Sequence, residues 1–304
     1  MNSIILMTTY GCNASCYYCP IKKKKKRMAF STAKKAIDLF LDFGNHNKKI
    51  KFFGGEPLME YNLIKKCIEH AGNKASYELA TNGILLNKDR IDFLSAHGAD
   101  LAISFDFIKK KPFSVLRLVK KNNYLDKITA TLMAAPQNID FLSGNFTELV
   151  QAGVKKFNIL PTVYTTNWTE SRLGKLEKEL EKIAEKYWQI KNKGEYIYLK
   201  GFEEHEDKSL KEMPLASHHL FVDVNGDIFS SDVILVMPEQ SKSVLKLGNV
   251  KHIQSLNQIS KDNNEEKYLR DSLNSKVIIN NRKIKSIMDN ANKLIKKDVD
   301  TLPA

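Results

Sequence analysis

The apolar positions of this 304-residue chain alternate between short continuous runs and longer stretches with helical spacing. Residues 4–9 (IILMTT) carry no charge and read as a buried strand. Ser31 is placed as the N-cap of a helix whose apolar face is Ala33, Ile37, Phe40 and Leu41 and which ends near Gly44. Residues 51–53 form a short strand that stops at Gly54, Gly55, Glu56 and Pro57, and a helix continues to Gly72. The same alternation goes on with strand 77–81 ending in Asn82-Gly83, helix 89–97 closing at Gly98, and strand 101–105 ending at Asp106. Helix 113–121, strand 128–133, helix 141–152 and strand 156–160, stopped by Pro161, complete it. Strands that alternate with helices in this way predict an α/β fold, a partial (β/α)6 TIM-like barrel with helices outside a parallel sheet. Glycines, Asn82, Asp106 and Pro161 gather at the C-terminal strand ends, the rim that carries the active site in α/β barrels.

Beyond the barrel, a charged helix over residues 169–191 presents Leu173, Leu176, Leu180, Ile183 and Tyr187 to one face and is expected to end the barrel. Phe221-Val222-Asp223-Val224, Asn225-Gly226 and Asp227-Ile228-Phe229 then predict a β-hairpin on a tight type I′ turn. The expected division is 1–165 for the barrel, 166–214 for a helical connection, and 215–304 for a small α+β extension and tail.

Composition fits this picture. Hydrophobic residues at 42% and charged residues at 27% are those of a globular protein with a sizeable core. No apolar run reaches the ~20 residues that span a bilayer, so no membrane association is expected. No basic n-region precedes the first strand, so no signal peptide is expected either. Four cysteines without a disulfide framework suit a reducing compartment, which makes a cytoplasmic location the expectation. The net charge of +13 comes almost entirely from lysine, since only six of the 48 basic residues are arginine. Phosphate and base recognition favours the arginine fork, so this excess is only weak evidence for a nucleic-acid partner and reads instead as a solvated, lysine-rich surface. An unbroken basic run at residues 22–27 (KKKKKR) reads as a solvated loop, with docking of an acidic partner as the alternative.

The candidate chemistry lies in residues 7–20, MTTYGCNASCYYCP, where Cys12, Cys16 and Cys19 are spaced C-x3-C-x2-C. Three thiolates on a loop leaving a strand can close around one iron–sulfur cluster, which in an all-cysteine site takes four. Cys67 is the remaining cysteine and falls on the apolar face of the helix before Gly72, so one iron would stay open. A zinc site is the competing reading, but zinc prefers two pairs of ligands and no second pair is present.

The cysteine spacing resembles the signature of the radical S-adenosylmethionine (SAM) superfamily. The resemblance implies a single [4Fe-4S] cluster on Cys12, Cys16 and Cys19, with SAM chelating the open iron. It places Tyr18 beside the adenine and makes Gly54, Gly55, Glu56 and Pro57 the family's GGEP motif, whose backbone meets the SAM ammonium. Thr81 and Asn82 match its TNG, Ser104 and Asp106 its SxD strand, and Asn158 the end of its sixth strand. Phe107 replaces the glycine usual after that aspartate, and β-strand positions Thr129 and Thr131 offer no arginine for the SAM carboxylate. The stretch from Ala216 to Val250 resembles the SPASM/twitch extension with its cluster cysteines lost: Ala216-Ser217 and Ser230-Ser231 stand where cysteines are expected. His218 and His219 are assigned a structural role, because neighbours on a strand face opposite ways. The extension is expected to act as a lid or substrate platform.

The resemblance implies an enzyme that reductively cleaves SAM to a 5′-deoxyadenosyl radical and abstracts hydrogen from a peptide or small protein. Its implied partner is a reductase or a flavodoxin- or ferredoxin-type electron donor. The alternatives are a small metabolite or nucleoside substrate, or a non-catalytic protein that binds metal and nucleic acid.

Overall fold

In chain order the elements are β1 (Ser3–Thr9), α1 (Phe30–Asp42), β2 (Lys49–Gly54), α2 (Tyr61–Ala71), β3 (Ser76–Thr81), α3 (Lys88–Ala96), β4 (Asp100–Phe105) and α4 (Pro112–Lys121). They continue with β5 (Ile128–Ala134), α5 (Leu142–Gln151), β6 (Lys156–Pro161), α6 (Glu170–Lys191) and β7 (Tyr198–Lys200). The last are β8 (His219–Val222), β9 (Asp227–Phe229), α7 (Glu239–Leu245), β10 (Gly248–Asn249) and α8 (Ser275–Lys296). The structure is a computed structural model and describes residues 2–44, 47–105, 112–163, 165, 167–200, 202, 219–237, 239–259 and 275–296. Asp106, Phe107, Ala216, Ser217 and His218 lie outside the described residues.

The chain divides into two compact units, each built from two stretches: Met1–Ala102 with Pro214–Ser272, and Ile103–Met213 with Leu273–Ala304. The segment 215–304, expected to hold a small extension and a tail, contributes Pro214–Ser272 to the first unit and Leu273–Ala304 to the second.

In the first unit β1 pairs in parallel with β2, and β2 with β3. Ile4, Leu6, Met7, Ile50, Phe52, Tyr77 and Leu79 are buried, and the apolar faces of α1 (Ala33, Ala36, Ile37, Phe40) and α2 (Leu63, Ile64, Cys67, Ile68) are buried with them. The expected N-cap at Ser31 is corrected. The helix begins two residues earlier than that cap implies, at Phe30, with Ala29 at the cap and no side-chain cap bond. The chain is committed before Ser31, because the Met28 amide already donates to the Thr8 carbonyl (2.8 Å) and the Met28 side chain is buried.

The C-terminal hairpin continues this same sheet. β8 runs parallel to β1, with Ile4 opposite Leu220 and Leu6 opposite Val222, and β9 and β10 then add antiparallel. Its turn is also corrected. The Asp223 amide donates to the Asp227 carbonyl, the Gly226 amide to the Asp223 carbonyl, and Gly226 alone takes the left-handed conformation (φ 89). That is a three-residue loop with a bulge, in place of a type I′ turn with two left-handed residues. The Asp223 carboxylate decides the outcome by accepting from the Asn225 and Asp227 amides, which holds Asn225 in an Asx turn.

In the second unit β5, β6 and β7 are parallel. β7 falls where the sequence predicts only a helical connection. It pairs Lys156 with Tyr198 and Asn158 with Lys200. The predicted helix at 169–191 is α6, capped by the Thr169 hydroxyl. Its face of Leu173, Leu176, Leu180, Ile183 and Tyr187 is buried. α8 contributes buried Val277, Ile284, Ala291 and Ile295, and the Trp188 indole donates to the Leu294 carbonyl (3.1 Å).

Candidate active site at the ends of the first three strands

At the end of β1 the pairing with β2 slips by one residue: Met7 faces Phe53, but Thr9 faces Gly54. Such a bulge turns a strand end and suits a site. The threonine side chains fix the turned chain. The Thr8 hydroxyl donates to the Phe53 carbonyl (3.1 Å), and the Thr9 hydroxyl donates to the Lys26 carbonyl (3.1 Å) while accepting from the Gly11 amide (3.0 Å). The cysteine loop therefore leaves β1 on a defined path.

The glycine pair meets that path from β2. The Gly55 amide donates to the Thr9 carbonyl and the Glu56 amide to the Gly11 carbonyl, each at 2.8 Å. A Cβ on Gly54 would stand 2.6 Å from the Thr9 oxygen, and one on Gly55 would stand 2.2 Å from the Gly11 oxygen. The resemblance gives this motif a backbone approach to SAM. Within the chain, what the glycines accommodate is the backbone of the cysteine loop itself.

Glu56 and Thr81 tie β3 into the same corner. Glu56 is wholly buried, and its Oε1 accepts from the Leu58 amide (3.0 Å) and the Thr81 hydroxyl (2.7 Å), while Oε2 accepts from the Asn82 amide (2.8 Å). Thr81 in turn accepts from the Gly83 amide (3.0 Å). Burial pushes the Glu56 carboxyl above the usual carboxylate range, against the pull of the bonds from Asn82, Thr81 and Leu58. Glu56 thus acts as a clamp between strand ends, and Pro57 starts the short 3-10 turn that it caps. Glu56→Gln removes one acceptor and turns an NH2 toward a donor. Urea unfolding should show a loss of about 1–3 kcal/mol, the cost of one stranded buried donor.

Asn82 carries the clamp on to the cysteines. Its Oδ1 accepts from the Ile84 amide (3.0 Å), and its Nδ2 donates to Asn13 Oδ1 (2.9 Å) and points to Cys12 Sγ at 4.0 Å. The Ala14 amide also donates to Cys12 Sγ (3.4 Å), and the Cys19 amide donates to the Cys16 carbonyl (3.2 Å), so Cys16 and Cys19 flank one turn. Tyr17 and Tyr18 occupy that turn with rings edge to face at 5.0 Å.

Cys12 and Cys16 are partly exposed and Cys19 is exposed, whereas Cys67 is buried on α2. Burial pushes the Cys67 thiol up to about 12. Alkylation of the native, metal-free protein at neutral pH should therefore label three thiols, and a fourth only after unfolding, as mass spectrometry can count. Among the described residues no three cysteine, histidine or acidic side chains are close enough to hold a single ion. An iron–sulfur cluster makes a different demand, because each thiolate takes its own iron. Three reachable thiols on one loop fit that donor set, whereas Cys67 lies buried on α2, away from that loop's exposed thiols.

Ser104 on β4 and Asn158 on β6 belong to the second unit, each half-buried. Asn158 sits in register between Thr131 on β5 and Lys200 on β7, a polar row across three strands. Lys200 was missed because β7 was. The roles of Thr9, Gly11 and Asn13 were missed too: a threonine at a strand end carries no signal until the bulge is known.

A family model described as the Radical SAM superfamily matches residues 6–150. An uncharacterized protein of Methanocaldococcus jannaschii is 34% identical over 149 residues, which cover 46% of this chain and 51% of that protein. The GTP 3′,8-cyclase of Staphylococcus carnosus is 28% identical over 172 residues, 52% of this chain and 48% of the cyclase. The chain thus spans about half the length of these curated relatives. Among solved structures, anSMEcpe with bound AdoMet aligns with a TM-score of 0.76 at 14% identity, covering 99% of this chain and 98% of that one. The same protein with AdoMet and the Cp18Cys peptide aligns at 0.74 with 13% identity, covering 96% and 99%. At such identities the likeness shows a shared fold, and it agrees with the partial α/β barrel read from the sequence.

Proposed function

Because residues 6–150 match the radical SAM superfamily, we propose that the chain is an enzyme that binds SAM at one [4Fe-4S] cluster on Cys12, Cys16 and Cys19 and modifies a peptide or small protein. When bound, cluster and SAM together supply the hard chemistry: reductive cleavage of the sulfonium C–S bond gives methionine and a 5′-deoxyadenosyl radical that takes hydrogen from the substrate. The chain's own residues hold the three thiols. The observation that carries this reading is the clamp, in which Gly55, Glu56, Thr81 and Asn82 all bond to the cysteine loop or to one another. A loop that only closed around structural metal would not need three strand ends fixed to it.

Gly54, Pro57, Ser104 and Asn158, with Tyr18 on the adenine side, complete the proposed SAM contacts, as does Asp106, which lies outside the described residues. A single cluster is proposed because no cysteine occurs after Cys67. Ser231, where an auxiliary ligand would be expected, instead caps a 3-10 turn by accepting from the Val233 amide (3.2 Å). The peptide class is supported by the fold shared with anSMEcpe, which has been seen with the Cp18Cys peptide. A nucleotide substrate is the second reading, favoured by the GTP 3′,8-cyclase relative, whose similarity covers 52% of this chain. A low-potential flavodoxin or ferredoxin is the proposed electron donor, and thiols not joined in disulfides suit the cytoplasm.

The test is anaerobic reconstitution with iron and sulfide, then reduction with dithionite in the presence of SAM. Equal amounts of 5′-deoxyadenosine and methionine are expected. Iron-loaded protein that leaves SAM intact would sink the assignment, and consumption of added GTP would move it to the second reading.

A further inference from the structure

The basic run at residues 22–27 is anchored at its C-terminal end. The Tyr10 amide donates to the Lys26 carbonyl (2.9 Å), the Thr9 hydroxyl donates to the same oxygen (3.1 Å), and Arg27 forms an antiparallel bridge with Thr9. At Lys26 and Arg27 its backbone is therefore fixed to the end of β1, beside the point where the cysteine loop departs. All six side chains are exposed. The Lys23 ammonium donates to the Ala14 carbonyl and to the Ser15 hydroxyl (3.0 Å), so it touches the loop between Cys12 and Cys16. Lys24 and, from α7, Lys242 approach the Tyr10 ring at 5.9 and 6.0 Å. Among the described residues the run's ion pairing is limited to Arg27 with Glu60 at 4.0 Å. A cavity of about 370 Å³ lies at its end, lined by Arg27, Met28, Phe30, Glu60, Leu63 and Lys66.

We propose that this anchored lysine collar is the docking surface for a small acidic electron-transfer protein, which reduces the cluster from beside the cysteine loop. The inference rests on the proposed radical SAM function. Each encounter moves one electron: the donor is oxidised by one electron and the cluster held by Cys12, Cys16 and Cys19 is reduced by one. Five adjacent lysines on a segment anchored at Lys26 repel one another, and a strand-end connection does not need them. Their position at the cysteine loop gives that charge a use. Redox partners form small, short-lived interfaces at the low end of the size range, and charge steers their encounter. Lysine suits this task because its hydrated point charge attracts without locking, whereas nucleic-acid phosphates favour arginine. The charges also stand outward on an exposed segment, which matches the broad face of a protein. The cavity beside Arg27 and Lys66, with mixed polar and apolar walls, offers a seat for one projecting side chain.

The decisive variant is Lys22→Glu/Lys25→Glu/Lys26→Glu, which spares Lys23 and Lys24 and leaves every backbone bond in place. An acidic flavodoxin is titrated against reconstituted wild-type and variant protein at low salt, and carbodiimide cross-links are mapped by mass spectrometry. SAM cleavage is then driven by reduced flavodoxin or by dithionite. Flavodoxin affinity and flavodoxin-driven cleavage should fall about tenfold or more in the variant, within the range by which steering raises association rates. The wild-type affinity should weaken as salt shortens the screening length below ~10 Å. Dithionite-driven cleavage should stay within about twofold of wild type. Equal flavodoxin binding by both proteins, or cross-links that avoid residues 22–26, would overturn the proposal. Single-stranded RNA is the control ligand: RNA binding lost from the variant with flavodoxin binding kept would also overturn it. If wild-type protein fails to cleave SAM with dithionite, the functional reading fails, and the binding and cross-linking arms decide the docking surface on their own.

Discussion

Replacing Cys12, Cys16 or Cys19 singly by Ala is expected to abolish both iron–sulfur loading and SAM cleavage, while Cys67→Ala keeps them. The three loop thiols are reachable and share one short loop, whereas Cys67 is buried on α2 with its thiol pushed up to about 12. A cluster bound through three thiolates has no spare ligand in this chain, since cysteine occurs at only four positions. Iron and sulfide analysis with 5′-deoxyadenosine assay checks each variant. Cluster loss in Cys67→Ala alone would show that the fourth iron is not left open. Cys67→Ala should still cost some stability, because it removes buried volume from the α2 face, but roughly 1 kcal/mol of that kind does not reach the loop.

Gly55→Val should have an effect nearly as large, and for a reason that the resemblance did not supply. A substituent there meets the Gly11 carbonyl at 2.2 Å and the Gly11 carbon at 2.7 Å, one residue before Cys12. That carbonyl is also the acceptor for the Glu56 amide, so neither partner can yield without breaking the bond between β2 and the loop. Overpacking of this kind costs about 1–3 kcal/mol. The displacement falls on the first cluster ligand. Iron content and SAM binding should drop together, at least tenfold, and retention of full iron loading with SAM binding alone lost would return the motif to a pure SAM contact. Gly174→Ala is the control: nothing lies within 4 Å of the added carbon on α6, and removing a helical glycine should stabilise by up to about 1 kcal/mol.

The sequence alone determined the alternation of strands and helices and the identity of the three thiols. Apolar runs such as residues 4–9 and the spaced faces of α1, α2 and α6 depend on periodicity, which is a local property. Motif spacing is local as well, so Gly54, Gly55, Glu56 and Asn82 could be singled out before any contact was known. What those residues do could not be read in that way. Glu56 bonds 25 and 26 residues ahead, to Thr81 and the Asn82 amide, and Asn82 reaches back 69 residues to Asn13. The hairpin shows the same limit. Asn225-Gly226 marks a turn, but whether that turn is tight or bulged was decided by the Asp223 carboxylate, and where its strands go was decided by the open edge of β1. β7 is only three residues long and gains its place from pairing with β6, so no period in the sequence announces it. Local pattern fixes the longer elements, because each residue's neighbours in sequence set them, whereas a strand as short as β7 needs its partner. Which strand ends meet, and therefore what a glycine or a lysine run is for, is set by partners far along the chain.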